Sequence, residues 1–243
     1  MVSWRYGTGH RPGEATPKHQ RNMFAMHECA RLPVTATSPS LGALRRASSE
    51  IRRGRVVAVR TDTLYGLLAD ASNEAALRRV FRAKGRPESK PILLLVDSKA
   101  QLARLVRYFP PEFSALARAF WPGPLTIVLP ASSRVPSLVT AGSGTVAVRQ
   151  PASPLVRCLA RHAGCALTGT SANRSGQSGA RSADEVVSQL RFRVPLVLDS
   201  GRVARSSPST IVDLTTPGAR ILRQGRVSRA ELERALGARI PQP

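Results

Sequence analysis

The apolar runs of this chain are all strand-length, and that constrains its fold more than any other feature. The longest, 92–96 and 125–129, fall far short of the roughly 18 residues of a membrane span, so a soluble protein with no membrane segment is expected. Between such runs lie stretches whose apolar residues recur at helical spacing. One covers 41–52 and stops at Gly54, a suitable C-terminal glycine. Asn73 is placed to cap a second, with Leu77, Val80 and Phe81 on one face. Leu102, Leu105, Val106 and Phe109 mark a third, and Phe113, Leu116 and Phe120 a fourth. Ser153-Pro154 opens a helix through 155–162. Ser182 with Glu185, and Ser228 with Glu231, read as capping boxes, the last helix ending at Gly237. Strands are expected at 55–59, 91–96, 125–129, 145–148, 165–168, 196–198, 210–214 and 220–222. Strands alternating with helices and then clustering predict an α/β fold with a twisted mixed sheet flanked by helices.

Residues 1–38 break that order, with Gly, Pro, His and Arg and no apolar period. They read either as a disordered basic arm or as an extension upstream of a true start at Met23 or Met26. The domain proper is expected at 39–237, with a tail at 238–243. At 243 residues such a chain buries a core without disulfides or metals. Cys29, Cys158 and Cys165 are odd in number and lack metal-like spacing, which fits free thiols in a reducing, cytoplasmic compartment. The formal net charge of +22 attracts polyanions such as ATP or RNA. Only four of the 37 basic residues are lysines, so part of that charge reflects the arginine bias of a GC-rich genome.

There is no P-loop, no dinucleotide fingerprint, no His-Glu-x-x-His and no Gly-x-Ser-x-Gly elbow. The four histidines lie in the first 27 residues or in a helical stretch (His162), so a His triad or His-built metal site is not expected. Chemistry must come from Lys, Arg, Ser, Thr and Asn, which suit holding anions better than shuttling protons. In 84–90, Gly85 and Pro87 form a loop that lets Lys84, Arg86 and Lys90 converge on a phosphate. Taken alone, a solvated basic loop is the commoner explanation. Thr61-Asp62-Thr63 follows a strand, with Gly66 expected to let the backbone turn. Arg149 ends the 145–148 strand and can clamp a carboxylate. The runs 170–176, 209–213 and 222–225 again place hydroxyl, amide and guanidinium groups at strand ends.

In order and spacing, these pieces resemble the YrdC-like family of threonylcarbamoyl-AMP synthases. The motifs are Thr-Asp-Thr-Leu-Tyr-Gly-Leu at 61–67, Lys-Gly-Arg at 84–86 with Lys90-Pro91, and Trp-Pro-Gly-Pro-Leu-Thr at 121–126. Val-Arg at 148–149, Ser-Ala-Asn at 171–173, Ser-Thr-Ile-Val-Asp at 209–213 and Arg-Gln-Gly at 223–225 follow. The resemblance covers about 41–236 and implies a sheet around a deep basic cleft, in the short form without an additional C-terminal domain. It implies that L-threonine, bicarbonate and ATP give threonylcarbamoyl-AMP and pyrophosphate, with Mg²⁺ carried on ATP and no protein-held metal. A transferase complex then modifies tRNA, and binding of tRNA itself is conceivable. By position, Lys84 and Arg86 are implied as catalytic, and Thr63, Arg149 and Ser209 as threonine contacts. Arg86, Lys90, Thr145, Ser171, Asn173 and Arg223 are implied as ATP contacts.

The chain departs from the family pattern at Arg60 (usually proline), at Leu95 (often histidine) and at Thr-Gly-Thr, 168–170. Leu95 raises the expectation of weaker threonine binding. Two other readings stay open: a catalytically silent paralogue that binds RNA, and a carbamoyl-adenylate enzyme of hydrogenase maturation.

Overall fold

The computed structural model describes residues 29–204 and 207–241; expectations for 1–28 and 242–243 lie outside these. The chain forms eleven strands among the described residues, in two mixed sheets rather than one. The first sheet is built from β1 (Ala30–Pro33), β2 (Val57–Arg60), β3 (Tyr65–Leu68), β8 (Thr170–Ser171) and β9 (Leu196–Asp199), in the order β1-β9-β2-β3-β8. The second contains β4 (Leu94–Leu95), β5 (Leu125–Pro130), β6 (Thr145–Arg149), β7 (Leu167–Thr168), β10 (Thr210–Asp213) and β11 (Arg220–Arg223), in the order β11-β10-β5-β6-β4-β7. The chain crosses from the second sheet to the first at Gly169, between β7 and β8. A Cβ there would sit 2.8 Å from Leu95 Cγ, closer than real side chains approach.

Local signals put most helices where expected. Ser40 caps α1 (Leu41–Arg52), Asn73 caps α2 (Glu74–Lys84) and Ser153 caps α6 (Pro154–Ala163), each accepting a backbone N–H from its own first turn. Ser228 and Glu231 form the full box at α8 (Arg229–Leu236). At α7 (Ala183–Leu190) the box is only half formed. Ser182 accepts from Glu185 N, but the Glu185 carboxylate takes the Arg181 N–H, one residue further upstream.

Four other expectations need correction. Ala30–Pro33, placed above in the 1–38 segment outside the domain, is an edge strand running parallel to β9. The 91–96 run ladders only at β4, because Pro91 has no N–H to give and Ile92 N bonds Val139 O instead. The helix through 102–109 is only α3 (Lys99–Ala103), since Val106 leaves to bridge Ala131. Gly66 is not at the turn: it lies inside β3, opposite Val59 and Ser171.

Alternation in the strands feeds two apolar layers. Val57 and Val59 face a cluster with α1, α6, Leu95 and Leu167, while Ala58, Tyr65 and Leu67 face the main core with α2 and α4 (Pro111–Phe120). Leu95, the position often held by histidine in the family, is a buried member of the first cluster.

Candidate active site

The end of α2 builds one half of the site. Gly85 adopts φ 61° and caps the helix in the left-handed conformation, which turns Lys84 inward rather than toward solvent. Lys84 is only 3% exposed. Its Nζ donates to the backbone oxygens of Ser171 and of Asn173 (3.0 Å), with Asn173 Oδ1 at 3.4 Å. Asn173 in turn donates from Nδ2 to Arg174 O at 2.8 Å and Gln177 O at 2.7 Å. Lys84 therefore ties helix α2 to the 171–177 loop. Burial pushes its pKa down to about 8, and Arg86 pushes the same way.

Arg86 donates from Nη2 to Pro91 O at 2.8 Å, yet its Nε is buried with no acceptor among the described residues. Burial lowers its pKa. A buried donor without a partner is costly, and an anionic ligand would supply the missing acceptor. Lys90 is exposed on the same loop.

The other half lies on one face of the second sheet. The β5–β6 register pairs Val128 with Ala147 and Pro130 with Thr145. Ile211 lies beside Thr126 on one side and Arg223 on the other. Paired residues share a face, so Thr145, Arg149, Thr126, Ile211 and Arg223 point together, away from the core-facing Val146 and Val148. The Thr145 hydroxyl pairs with Ser143 Oγ at 2.9 Å. Ser209, 4% exposed, pairs with Thr126 Oγ1 at 2.9 Å and accepts Arg223 Nη2 on its backbone oxygen at 2.8 Å.

Arg149 is the centre of this group. It is 4% exposed, and its Nε donates to Gly123 O at 2.8 Å. Its Nη2 forms an ion pair with Asp62. Burial lowers its pKa most, Asp62 opposes that, and the charges of Arg226 and Arg223 lower it further.

Asp62 is held by its neighbours. Thr61 Oγ1 accepts the N–H groups of Thr63 and Leu64 and lies 3.1 Å from Thr63 Oγ1, so one hydroxyl shapes the turn carrying both Asp62 and Thr63. That turn joins β2 to β3, and β3 pairs with β8 at Ser171; the two halves of the site thus meet through one sheet. A cavity of ≈450 Å³ opens beside the turn, lined in part by Arg60, Asp62 and Arg226.

The structure thus connects Lys84, Arg86, Ser171 and Asn173 in one group and Thr63, Arg149, Ser209 and Arg223 in another. Lys90 and Thr145 lie on the same loop or sheet face as members of these groups. Sequence reasoning gave no role to Asp62, Thr126 or Arg226. All three stood inside or beside quoted motifs, but the signal that singles them out is spatial: partners of Arg149 and Ser209 far along the chain.

Comparison with known proteins agrees with the motif order. A family model named Sua5_yciO_yrdC and described as telomere recombination matches residues 49–225. A threonylcarbamoyl-AMP synthase of Pyrococcus abyssi is 39% identical over 80% of this chain and 57% of its own length. This chain therefore spans little more than half of that relative. One of Thiobacillus denitrificans is 44% identical over 68% of this chain and 88% of its own. The crystal structure of P. abyssi Sua5 complexed with L-threonine superposes with TM-score 0.83 at 37% identity, covering 87% of this chain and 62% of that one. With fold, motif order and family model in agreement, the chain belongs to the Sua5/YciO/YrdC family.

Proposed function

We propose that this chain is an L-threonylcarbamoyladenylate synthase, a nucleotidyltransferase that converts L-threonine, bicarbonate and ATP to threonylcarbamoyl-AMP and pyrophosphate. The observation that carries the reading is the placement of Arg149, Thr126 and Arg223 on one face of the second sheet, with Ser209 bonded to Thr126 and Arg223, beside the turn that carries Thr63. The relatives named threonylcarbamoyl-AMP synthase and the threonine-bound neighbour support it.

In this scheme the threonine amine attacks CO₂ or bicarbonate, and the carbamate oxygen then attacks the α-phosphorus of ATP as pyrophosphate leaves. Both reactants are anions, so the main barrier is their mutual repulsion and misalignment. Fixed guanidinium groups offset the first without titrating near neutrality, and a preformed site reduces the second. Arg149 holds the threonine carboxylate, with Thr63 and Ser209 against the rest of the amino acid. Arg86, through its unpartnered Nε, and Arg223 take phosphate oxygens, with Lys90 and Thr145 at the rim. Lys84 acts through Ser171 and Asn173, holding their loop in place. Among the described residues no cluster of three or more His, Cys, Asp or Glu is placed to hold a metal; Mg²⁺ enters as part of the ATP substrate. The product goes to a tRNA-modifying transferase complex in the cytoplasm, and the basic surface suits tRNA nearby.

The test is pyrophosphate release from Mg·ATP and bicarbonate, with and without L-threonine. Release that requires threonine is expected, and Arg149→Ala should raise the threonine requirement most among the named arginines. Threonine-independent release, or none, rejects the reading.

A further inference from the structure

The Asp62–Arg149 pair does more than neutralise a buried charge. Oδ2 of Asp62 holds Arg149, but its second oxygen, Oδ1, is buried and has no hydrogen-bond partner among the described residues. A carboxylate oxygen is a strong acceptor, and leaving it dry costs more than an ordinary lost bond. The turn that carries it is fixed by Thr61 Oγ1, so the oxygen is held in place rather than free to swing to solvent. Asp62 is also one of the residues that line a cavity of ≈450 Å³. On the other side, Arg149 spends Nε on Gly123 and one Nη on Asp62, and its Nη1 amino group donates to no other side chain or carbonyl among the described residues. A positive group and a negative acceptor, locked to each other side by side, form a template for a zwitterion.

We infer that Asp62 and Arg149 together form an α-amino-acid clamp, in which Arg149 takes the substrate carboxylate and Asp62 Oδ1 accepts from its α-amino group. The inference rests on the threonine reading above and assigns Asp62 as a specificity-determining residue. It explains why the one acid among the charged groups acting on Arg149 lies in a site otherwise built for anions. A lone arginine cluster would take any carboxylate or phosphate. The paired acid repels those that bring no amine, and so keeps the amino-acid position from being filled by phosphate.

The competing explanation is that Asp62 plugs Arg149 and is displaced when substrate arrives. The two differ in sign. Calorimetric titration of the wild-type protein with L-threonine and with 3-hydroxybutanoate, which is threonine without its amine, is the first measurement. Threonine should bind about 10- to 100-fold more tightly, the range of a charge-assisted hydrogen bond; equal affinities overturn the inference without needing any variant. Asp62→Asn keeps the shape and one acceptor for Arg149 but loses the charge. It should weaken threonine by a similar factor while leaving 3-hydroxybutanoate unchanged or tighter. If Asp62→Asn instead binds threonine more tightly, Asp62 is a plug and the clamp is wrong. If both ligands weaken together with a lowered melting temperature, Asp62 is only a structural partner of Arg149, and the clamp is again wrong. Absence of threonine binding to the wild type is a distinct result that removes the threonine reading and the clamp with it.

Discussion

Lys84 shows how one residue in a motif admits two readings from sequence alone. Its motif marks it as important, but a phosphate hook and an internal tie look the same in a string of letters. The difference depends on carbonyls 87 and 89 positions away. Burial lowers its pKa to about 8 from 10.5, and this has opposite consequences for stability and for activity. Between those two values the unfolded chain binds the proton that the folded chain has released. The contribution of Lys84 to stability therefore rises as pH increases through that window. Over the same window it loses the charge that holds the Ser171 and Asn173 carbonyls. Measured as the difference between wild type and Lys84→Met, the urea midpoint should shift in favour of the wild type from about pH 7 to about pH 10. The kcat/KM of the wild type should fall above about pH 8. A stability difference flat across that range would show that Lys84 keeps its ordinary pKa in the fold. Asp62 was missed for a related reason: its neighbours in sequence are threonines, and its meaning comes from Arg149, 87 positions on.

At the level of elements, what was legible was whatever the chain settles locally. A cap needs only three or four residues, so Asn73, Ser153 and Ser228 were readable as they stand. Strand extent was not, because a ladder exists only where a partner stands beside it. Leu94–Leu95 ladders while Ile92 bonds a helix carbonyl, and nothing in that apolar run foretells the split. Neither was the short edge strand Ala30–Pro33 visible, which takes its pairing from β9. Element contacts also explain a motif glycine whose reason was hidden. A Cβ on Gly225 would stand 2.4 Å from Pro208 O and 2.5 Å from Thr210 N, so any side chain there pries the end of β11 from the segment that carries Ser209. Gly225→Ala should cost about 1–3 kcal/mol and weaken threonine binding by displacing Ser209 and Arg223. Gly42, in α1 with nothing within 4 Å of an added Cβ, is the control: Gly42→Ala should be neutral or stabilise by up to about 1 kcal/mol. Paired urea curves and threonine titrations check both, and a harmless Gly225→Ala would remove the claim that close packing of 208–210 sets the site.

For the molecule as a whole, the excess of 37 basic over 15 acidic residues was visible at once, but its division of labour was not. Part of the basic excess is committed locally: Arg31 to Asp184 and Asp199, Arg78 to Glu88, Arg161 to Asp97. Where both partners are exposed, as in Arg31–Asp184 and Arg78–Glu88, such pairs add little to stability. What remains uncompensated acts at long range, and its effect on a ligand depends on the ligand's net charge. On the function proposed above, ATP with its several negative charges is drawn by the whole field, whereas threonine, a neutral zwitterion, meets only the short-range pair of Asp62 and Arg149. Salt screens the first over roughly 10 Å at 0.1 M and barely touches contacts inside a buried clamp. Raising ionic strength from about 0.05 M to about 0.3 M should therefore increase KM for ATP several-fold while moving KM for threonine by less than about twofold. The measurement is a pair of initial-rate series at fixed saturating co-substrate. If both constants rise together, threonine is being held by the same diffuse field as ATP, and selection of the amino acid has to be sought elsewhere than in the buried pair at the end of β6.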